Sequence, residues 1–169
     1  MSSTQQFCTF FIAGHCFGSS VAMVKEVIQF QPITRVPLAP EVIVGVMNLR
    51  GQIVSVMDLR RRLEFPERPC DQLPVNVVVQ AHETAVSLLV DEIGDVIDVQ
   101  EDAFETPPVT LQGFVRDMLR GVYKLPERLL LVLDIERVLD LENFTHETNA
   151  AIDMDLHKGH ATESARRVQ

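Results

Sequence analysis

Tryptophan is absent from this chain, tyrosine occurs once, and no apolar run approaches the ~20 residues a membrane-spanning helix needs. With nine Phe against that one Tyr, the aromatics read as core filling and not as stacking platforms for bases. Positive charge is also in deficit. The 15 Lys and Arg stand against 24 Asp and Glu, a formal net charge of −9, which excludes wrapping nucleic acid or lying on an anionic membrane. Cysteine is sparse: Cys8, Cys16 and Cys70 are odd in number and follow no metal-ligand spacing. With no secretory signal in view, that usage leads us to expect a reducing, cytoplasmic setting. The eight glycines are scattered singly, so no glycine-rich phosphate loop exists. Apolar residues at 46% and charged residues at 23% remain ordinary for a soluble globular protein.

What the chain does have is an internal repeat. The segment Gly45 to Leu63 matches the segment Gly121 to Leu139 without a gap, at a spacing of 76 residues. Gly45 aligns with Gly121, Val46 with Val122, Leu49 with Leu125, Val56 with Val132, Asp58 with Asp134 and Arg61 with Arg137. A shared apolar rhythm alone is weak, but matched Gly, Asp and Arg at one offset indicate two copies of one small unit. The copies differ at one corner, which reads Asn48-Leu49-Arg50-Gly51 in the first and Lys124-Leu125-Pro126-Glu127 in the second. A fainter echo, offset by 66, pairs Val24-Lys25-Glu26-Val27 with Val90-Asp91-Glu92-Ile93.

Strands are expected at Phe7–Ile12, around Cys16-Phe17, and at 33–36, 42–49, 52–57, 75–80, 85–90, 96–99, 119–124 and 128–132, with turns at His82-Glu83 and Gly94-Asp95. Val21, Val24, Val27 and Ile28 sit at helical spacing and predict a short helix capped by Ser19 or Ser20. Asp58 and Asp134 each open a brief helix. Three prolines between Phe65 and Pro74 mark a linker. Many short strands with short helices argue for barrels or a sandwich. The expected organisation is one domain over 1–142: a first barrel at 7–65, a linker at 66–74 and a second barrel at 75–141. Residues 143–169 are expected to be a disordered tail.

Catalytic constellations are missing. The histidines fall at turns (His15, His82) or in the tail (His146, His157, His160), none set against a Ser or Cys for nucleophile activation. Asp91, Glu92, Asp95 and Asp98 form an acidic cluster, read as solvated turns on an edge and not as a cation site. A phosphate-accepting receiver domain fails on architecture, because no long helices separate the strands between 75 and 133. Arg60-Arg61-Arg62 reads as a solvated helix face. No metal and no cofactor is expected. What remains is the Asn48–Gly51 corner. Gly51 permits a positive φ, and Arg50 carries a planar five-donor head suited to a carboxylate, with Glu26 the candidate partner. Whether Arg50 is an internal tie or an external contact stays open at this point.

At this corner the sequence resembles the CheW family of chemotaxis coupling proteins. The likeness runs from about residue 7 to 141, through Phe10-Phe11-Ile12, Val24-Lys25-Glu26-Val27, Arg35-Val36-Pro37, Gly45 to Gly51, Asp58-Leu59-Arg60, Leu89 to Ile93, Gly121-Val122 and Leu133-Asp134-Ile135. It implies a mainly β fold of two SH3-like five-stranded barrels with short helices, and no catalytic activity. It also implies two partners: the cytoplasmic tip of methyl-accepting chemoreceptors, and the regulatory domain of a CheA-type histidine kinase. By the same resemblance Val24, Glu26 and Val27 line or support a receptor groove beside Asn48, Arg50 and Gly51. Barrel ends including the Gly45 turn face the kinase, and Val75 completes the candidate partner-binding set. Ser55 and Met57 depart from the family's usual Pro and Ile or Val. Two rivals stand: an enzyme built on the acidic cluster, and a structural array component, or a coupler in a chemosensory-like pathway with a non-motility output.

Overall fold

A computed structural model describes residues 3–141, so the expected tail lies outside the described residues. The hairpin β1 (Thr4–Ile12) and β2 (His15–Ser20) leads through a single 3-10 turn, Val21–Met23, into β3 (Val24–Gln29). Then come β4 (Ile43–Leu49), β5 (Gln52–Asp58) and helix α1 (Leu59–Arg62). The second half follows with β6 (Val75–Ala81), β7 (Thr84–Val90), β8 (Glu92–Gln100), a 3-10 turn, and β9 (Phe104–Glu105). Helix α2 (Phe114–Asp117), β10 (Leu119–Lys124), β11 (Leu129–Leu133) and helix α3 (Ile135–Leu139) complete it.

The strands make two sheets, one ordered β8-β1-β2-β11-β10-β9 and the other β3-β6-β7-β5-β4. Each curls round its own core. In the five-stranded sheet Met47, Val56, Val78 and Leu89 pack with Ile28, so both edge strands β3 and β4 reach one cluster. In the six-stranded sheet Phe7, Cys16, Tyr123, Leu130 and Val132 pack with Ile97 and Val99, joining edge strand β8 to β10. Val77, Val78 and Val79 in β6 are all essentially sealed from solvent. A strand buried on both faces reads as a continuous apolar run, one face lining its barrel and the other facing the neighbouring layer.

The barrels are not the two halves of the chain. The hairpin β1–β2, expected in a barrel spanning 7–65, pairs instead with β8 and β11. The hairpin β6–β7, expected within 75–141, pairs with β3 and β5. Each copy therefore lends its first hairpin to the other copy's sheet. The segment 66–74 joins α1 to β6 inside one barrel and does not link two. Sequence repetition cannot reveal this, because a strand's pattern does not say which hairpin it will pair with.

The repeat itself is structural. Both β4–β5 and β10–β11 carry a register shift at the same place, Ile43/Gly45 and Leu119/Gly121. In both, the backbone of the capping aspartate reaches back to the residue before the bulge: Asp58 N–H to Val42 O and Asp134 N–H to Met118 O, each 2.8 Å. The 66-residue echo is out of step with the structure. Val24 stands opposite Val79 as Ile93 stands opposite Phe10, which makes 24 and 93 the equivalent positions, 69 residues apart.

Three local expectations are corrected. Val24–Gln29 is a strand and not a helix. Its β-branched Val24, Val27 and Ile28 suit a pleated surface, and burial alternates strictly along it; Val27, an apolar residue on the exposed side, is what imitates helical spacing. The strand expected at 33–36 shrinks to a single bridge, Thr34 to Val46, since Pro32 and Pro37 on either side have no N–H to donate. Gly94-Asp95 is no turn but part of β8, where Gly94 lets the strand bulge against Thr9.

Candidate functional site

Strand β3 is an edge strand of the five-stranded sheet, with Val24, Glu26 and Ile28 half-buried and Lys25, Val27 and Gln29 exposed. The tight turn between β4 and β5 approaches it. Arg50 and Gly51 both take positive φ, 52° and 85°, the pattern of a type I′ hairpin turn. Asn48 holds the turn, its side-chain oxygen accepting the Gly51 N–H at 2.9 Å. From there the Arg50 guanidinium donates to Glu26 Oε1 at 2.7 Å. Arg50 is still 79% exposed while Glu26 is 24% exposed, so the carboxylate anchors the guanidinium and leaves most of it facing solvent. Arg50 is thus an internal tie with a free outer surface. A non-glycine residue in the left-handed region costs about 1 kcal/mol, and Gly51 beside it is the residue that position favours.

Exposed apolar side chains flank this pair along the chain: Val27 on the outward side of β3, opposite to Glu26, with Val21 before the strand and Phe30 just after it. The sequence reading named Val27 but missed Val21 and Phe30 as surface groups. Val75 stands opposite Gln29 at the far end of β3, half-buried. Gly45 belongs elsewhere. It is neither at a turn nor at the surface; it is a buried bulge position in β4, where a Cβ would overlap the Thr34 carbonyl. Its place in the repeat is explained by that close approach, and it cannot be presented to a partner.

The sequence reading also missed a buried charge cluster. Arg60 and Arg62, expected on a solvated face, are 8% and 3% exposed. Arg60 donates from Nε and Nη2 to Asp91 at 2.8 and 2.6 Å, and from Nη1 to the Pro66 carbonyl at 3.0 Å. Asp91, expected on a solvated edge with Glu92, Asp95 and Asp98, is itself buried, whereas those three are exposed. It also takes a hydrogen bond from Arg68 Nε at 3.0 Å and one from the Ala13 N–H at 2.8 Å. Burial alone would push the Asp91 carboxyl up; the Arg60 hydrogen bonds, the Ala13 N–H, the Arg60 charge and the Arg68 bond together hold it below the ordinary carboxylate range. Arg62 reaches the last helix, donating to Val138 O and Arg137 O, both at 2.8 Å. One signal for this was available. Arg62 aligns with Val138 in the second copy, and an apolar residue there marks the position as buried.

Among the described residues, no group of three or more His, Cys, Asp or Glu side chains is placed to hold a metal ion, and no helix is long and apolar enough to cross a membrane. Comparison with known proteins identifies the family. The CheW-like domain family matches residues 6–143. Chemotaxis protein CheW of Bacillus subtilis is 34% identical over 139 residues, covering 82% of this chain and 89% of that protein. Chemotaxis protein CheW of Klebsiella aerogenes is 29% identical over 147 residues, covering 87% and 89%. Among solved structures, the scaffolding protein TtCheW from Thermoanaerobacter tengcongensis superposes with a TM-score of 0.75 at 25% identity, covering 83% of this chain and 95% of that one.

Proposed function

The chain belongs to the CheW-like domain family, and from that premise we propose that it is a non-catalytic chemotaxis adaptor that couples methyl-accepting chemoreceptors to a CheA-type histidine kinase in the cytoplasm. The observation that carries the assignment of its receptor face is the exposed Arg50–Glu26 pair set beside Val21, Val27 and Phe30. Such a surface suits a helical hairpin, whose apolar side chains would settle on the valines and Phe30 while its polar edge meets the free side of Arg50. Val24 and Glu26 support that face from the inward side of β3 and Val27 lies on the strand's outward side; Asn48 and Gly51 hold Arg50 against Glu26. The kinase regulatory domain takes the barrel ends, for which Val75, opposite Gln29 at the far end of β3, is the candidate.

An adaptor needs two faces of modest affinity and no reacting groups. The test is reconstitution. The full chain is mixed with a receptor signalling fragment, with a CheA-type kinase, and with both, and autophosphorylation is followed. The expected result is binding to each partner separately and a raised kinase rate only in the ternary mixture. Binding to neither would sink the reading and leave the likeness one of fold alone.

A further inference from the structure

The chain passes between the barrels twice: from β2 to β3 through Val21–Met23, and from β7 to β8 through Asp91 alone. Asp91 is therefore one link wide. The groups that grip it come from both barrels. Its backbone N–H donates to Phe11 O at 3.0 Å and its carboxylate accepts from Ala13 N–H, both in the first hairpin, which belongs to the six-stranded barrel. Arg60 lies on α1 and Arg68 on the segment leading to β6, both belonging to the five-stranded barrel. Phe65, on that same segment, stacks on His15 and meets Phe17 edge-on, again across the junction.

Two features make this more than a buried ion pair. In the second copy the position of Arg60 is occupied by Glu136, which is exposed, so the carboxylate grip is built into one copy only. Arg68 is also incompletely satisfied. Its side chain is 9% exposed, its Nη2 is buried without a hydrogen-bond partner, and Asp58 Oδ1 stands 3.9 Å away, beyond hydrogen-bond distance. The guanidinium therefore bridges two carboxylates, hydrogen-bonded to Asp91 of the crossing and within ion-pair range of Asp58 at the end of β5.

We propose that Asp91, gripped by Arg60 and Arg68, is a positioning residue that sets the angle between the two barrels and so the shape of the receptor-binding face that begins at the other crossing. This rests on the receptor-face reading above. It adds that the Arg68 link from Asp91 to Asp58 ties the crossing to β5 and so fixes how one barrel sits on the other. Val24, the first residue of β3, leaves directly from the other crossing, so a change of barrel angle displaces the receptor-binding strand at its root.

Asp91→Asn strips two buried guanidinium groups of their carboxylate and is the variant expected to unfold, so Arg68→Met is the informative one. It leaves Arg60 and the Ala13 N–H on Asp91. Two measurements are made on the full chain with Cys70→Ser. Spin labels on Thr84→Cys and Glu127→Cys report the distance between the barrels, the buried Cys8 and Cys16 staying unlabelled. Affinities for the receptor fragment and for the kinase regulatory domain are measured in parallel. The expected outcome for a folded Arg68→Met is a broadened or shifted inter-barrel distance, receptor affinity down roughly fivefold or more, and kinase affinity unchanged. Arg68→Lys, which keeps a cation facing Asp91, should restore much of both losses. A folded Arg68→Met with the wild-type distance distribution overturns the proposal whatever the affinities. If the wild type binds neither partner, the adaptor reading fails, and the distance measurement still decides whether Asp91 sets the angle.

Discussion

The unit β4–β5–α1 and the unit β10–β11–α3 share a residue framework and differ in what they attach to. The residues that match at the 76-residue spacing all do the same local job twice. Gly45 and Gly121 admit a neighbouring backbone or ring at a bulge. Asp58 and Asp134 accept the N–H groups that open their helices, from Arg60 and Arg137 at 3.0 and 3.2 Å. Arg61 and Arg137 each donate to the carbonyl just before their hairpin, Glu41 O at 3.0 Å and Asp117 O at 3.1 Å. The unmatched residues act outside the unit. Arg60 and Arg62 in the first copy, replaced by Glu136 and Val138 in the second, reach across to the other barrel. Arg50, replaced by Pro126, faces solvent. Sameness between the copies marks folding, and difference marks either the joint between them or the surface offered to others.

The comparison breaks most sharply at residue 60. Arg60→Met removes one partner of a buried pair and should lower the free energy of unfolding by about 3 kcal/mol. Glu136→Gln, at the equivalent place, touches an exposed group and should change it by less than about 0.5 kcal/mol. Urea unfolding followed by far-UV circular dichroism measures both; equal effects would dissolve the distinction. The same lock has a pH signature. Because Asp91's folded carboxyl lies below its ordinary range, its stabilising effect is complete above the unfolded value of about 3.9 and is lost as pH falls from there through the folded value. Stability should therefore decline with a steeper acid limb in the wild type than in Arg68→Met, which has lost one of the hydrogen bonds that lower the carboxyl.

The bulge glycines sharpen the sameness. An alanine Cβ at position 45 would run into the Thr34 carbonyl, with Ile33 Cγ2 only 2.7 Å away, and backbone on that side cannot swing aside. Gly45→Ala should cost about 2–3 kcal/mol. At position 121 the nearest atoms belong to the half-exposed ring of Phe104, packed on Tyr123, and the backbone overlap, with the Glu105 carbonyl at 2.6 Å, is milder than at 45, so Gly121→Ala should cost somewhat less, about 2 kcal/mol. The same melts rank the pair, and a larger loss at 121 would mean that Phe104 is held more firmly than its exposure implies.

Much of this was legible beforehand because it is local. The hairpins, the helix-opening aspartates and the family follow from residues within a turn or two of one another. The exchange of hairpins between barrels was not, since β1 carries no mark that it will choose β8 rather than β3. Nor was the burial of Arg60 and Asp91. A charge run beside a helix cap and an acid at a strand end look solvated until the fold sets them 2.6 Å apart. Of the candidate site, Glu26, Asn48, Arg50 and Gly51 come together as expected, while Gly45 belongs to the framework instead.

The smallest effect on stability should come from Arg50, the residue proposed to meet the receptor. Arg50 occupies a left-handed position at which Asn followed by Gly is the favoured type I′ pair. Arg50→Asn relieves the backbone while giving up an exposed ion pair that is worth at most about 1 kcal/mol. The melting temperature should therefore stay level or rise slightly. Pro126→Asn alters a turn in which, among the described residues, neither Pro126 nor Glu127 takes a positive φ, so it gains nothing from that preference. Receptor-dependent stimulation of the kinase should collapse for Arg50→Asn and persist for Pro126→Asn. Were coupling to survive Arg50→Asn in a protein of undiminished stability, Arg50 would be a tie alone. The difference between the two corners would then be a matter of turn type, and the receptor contact would have to lie on Val21, Val27 and Phe30 without it.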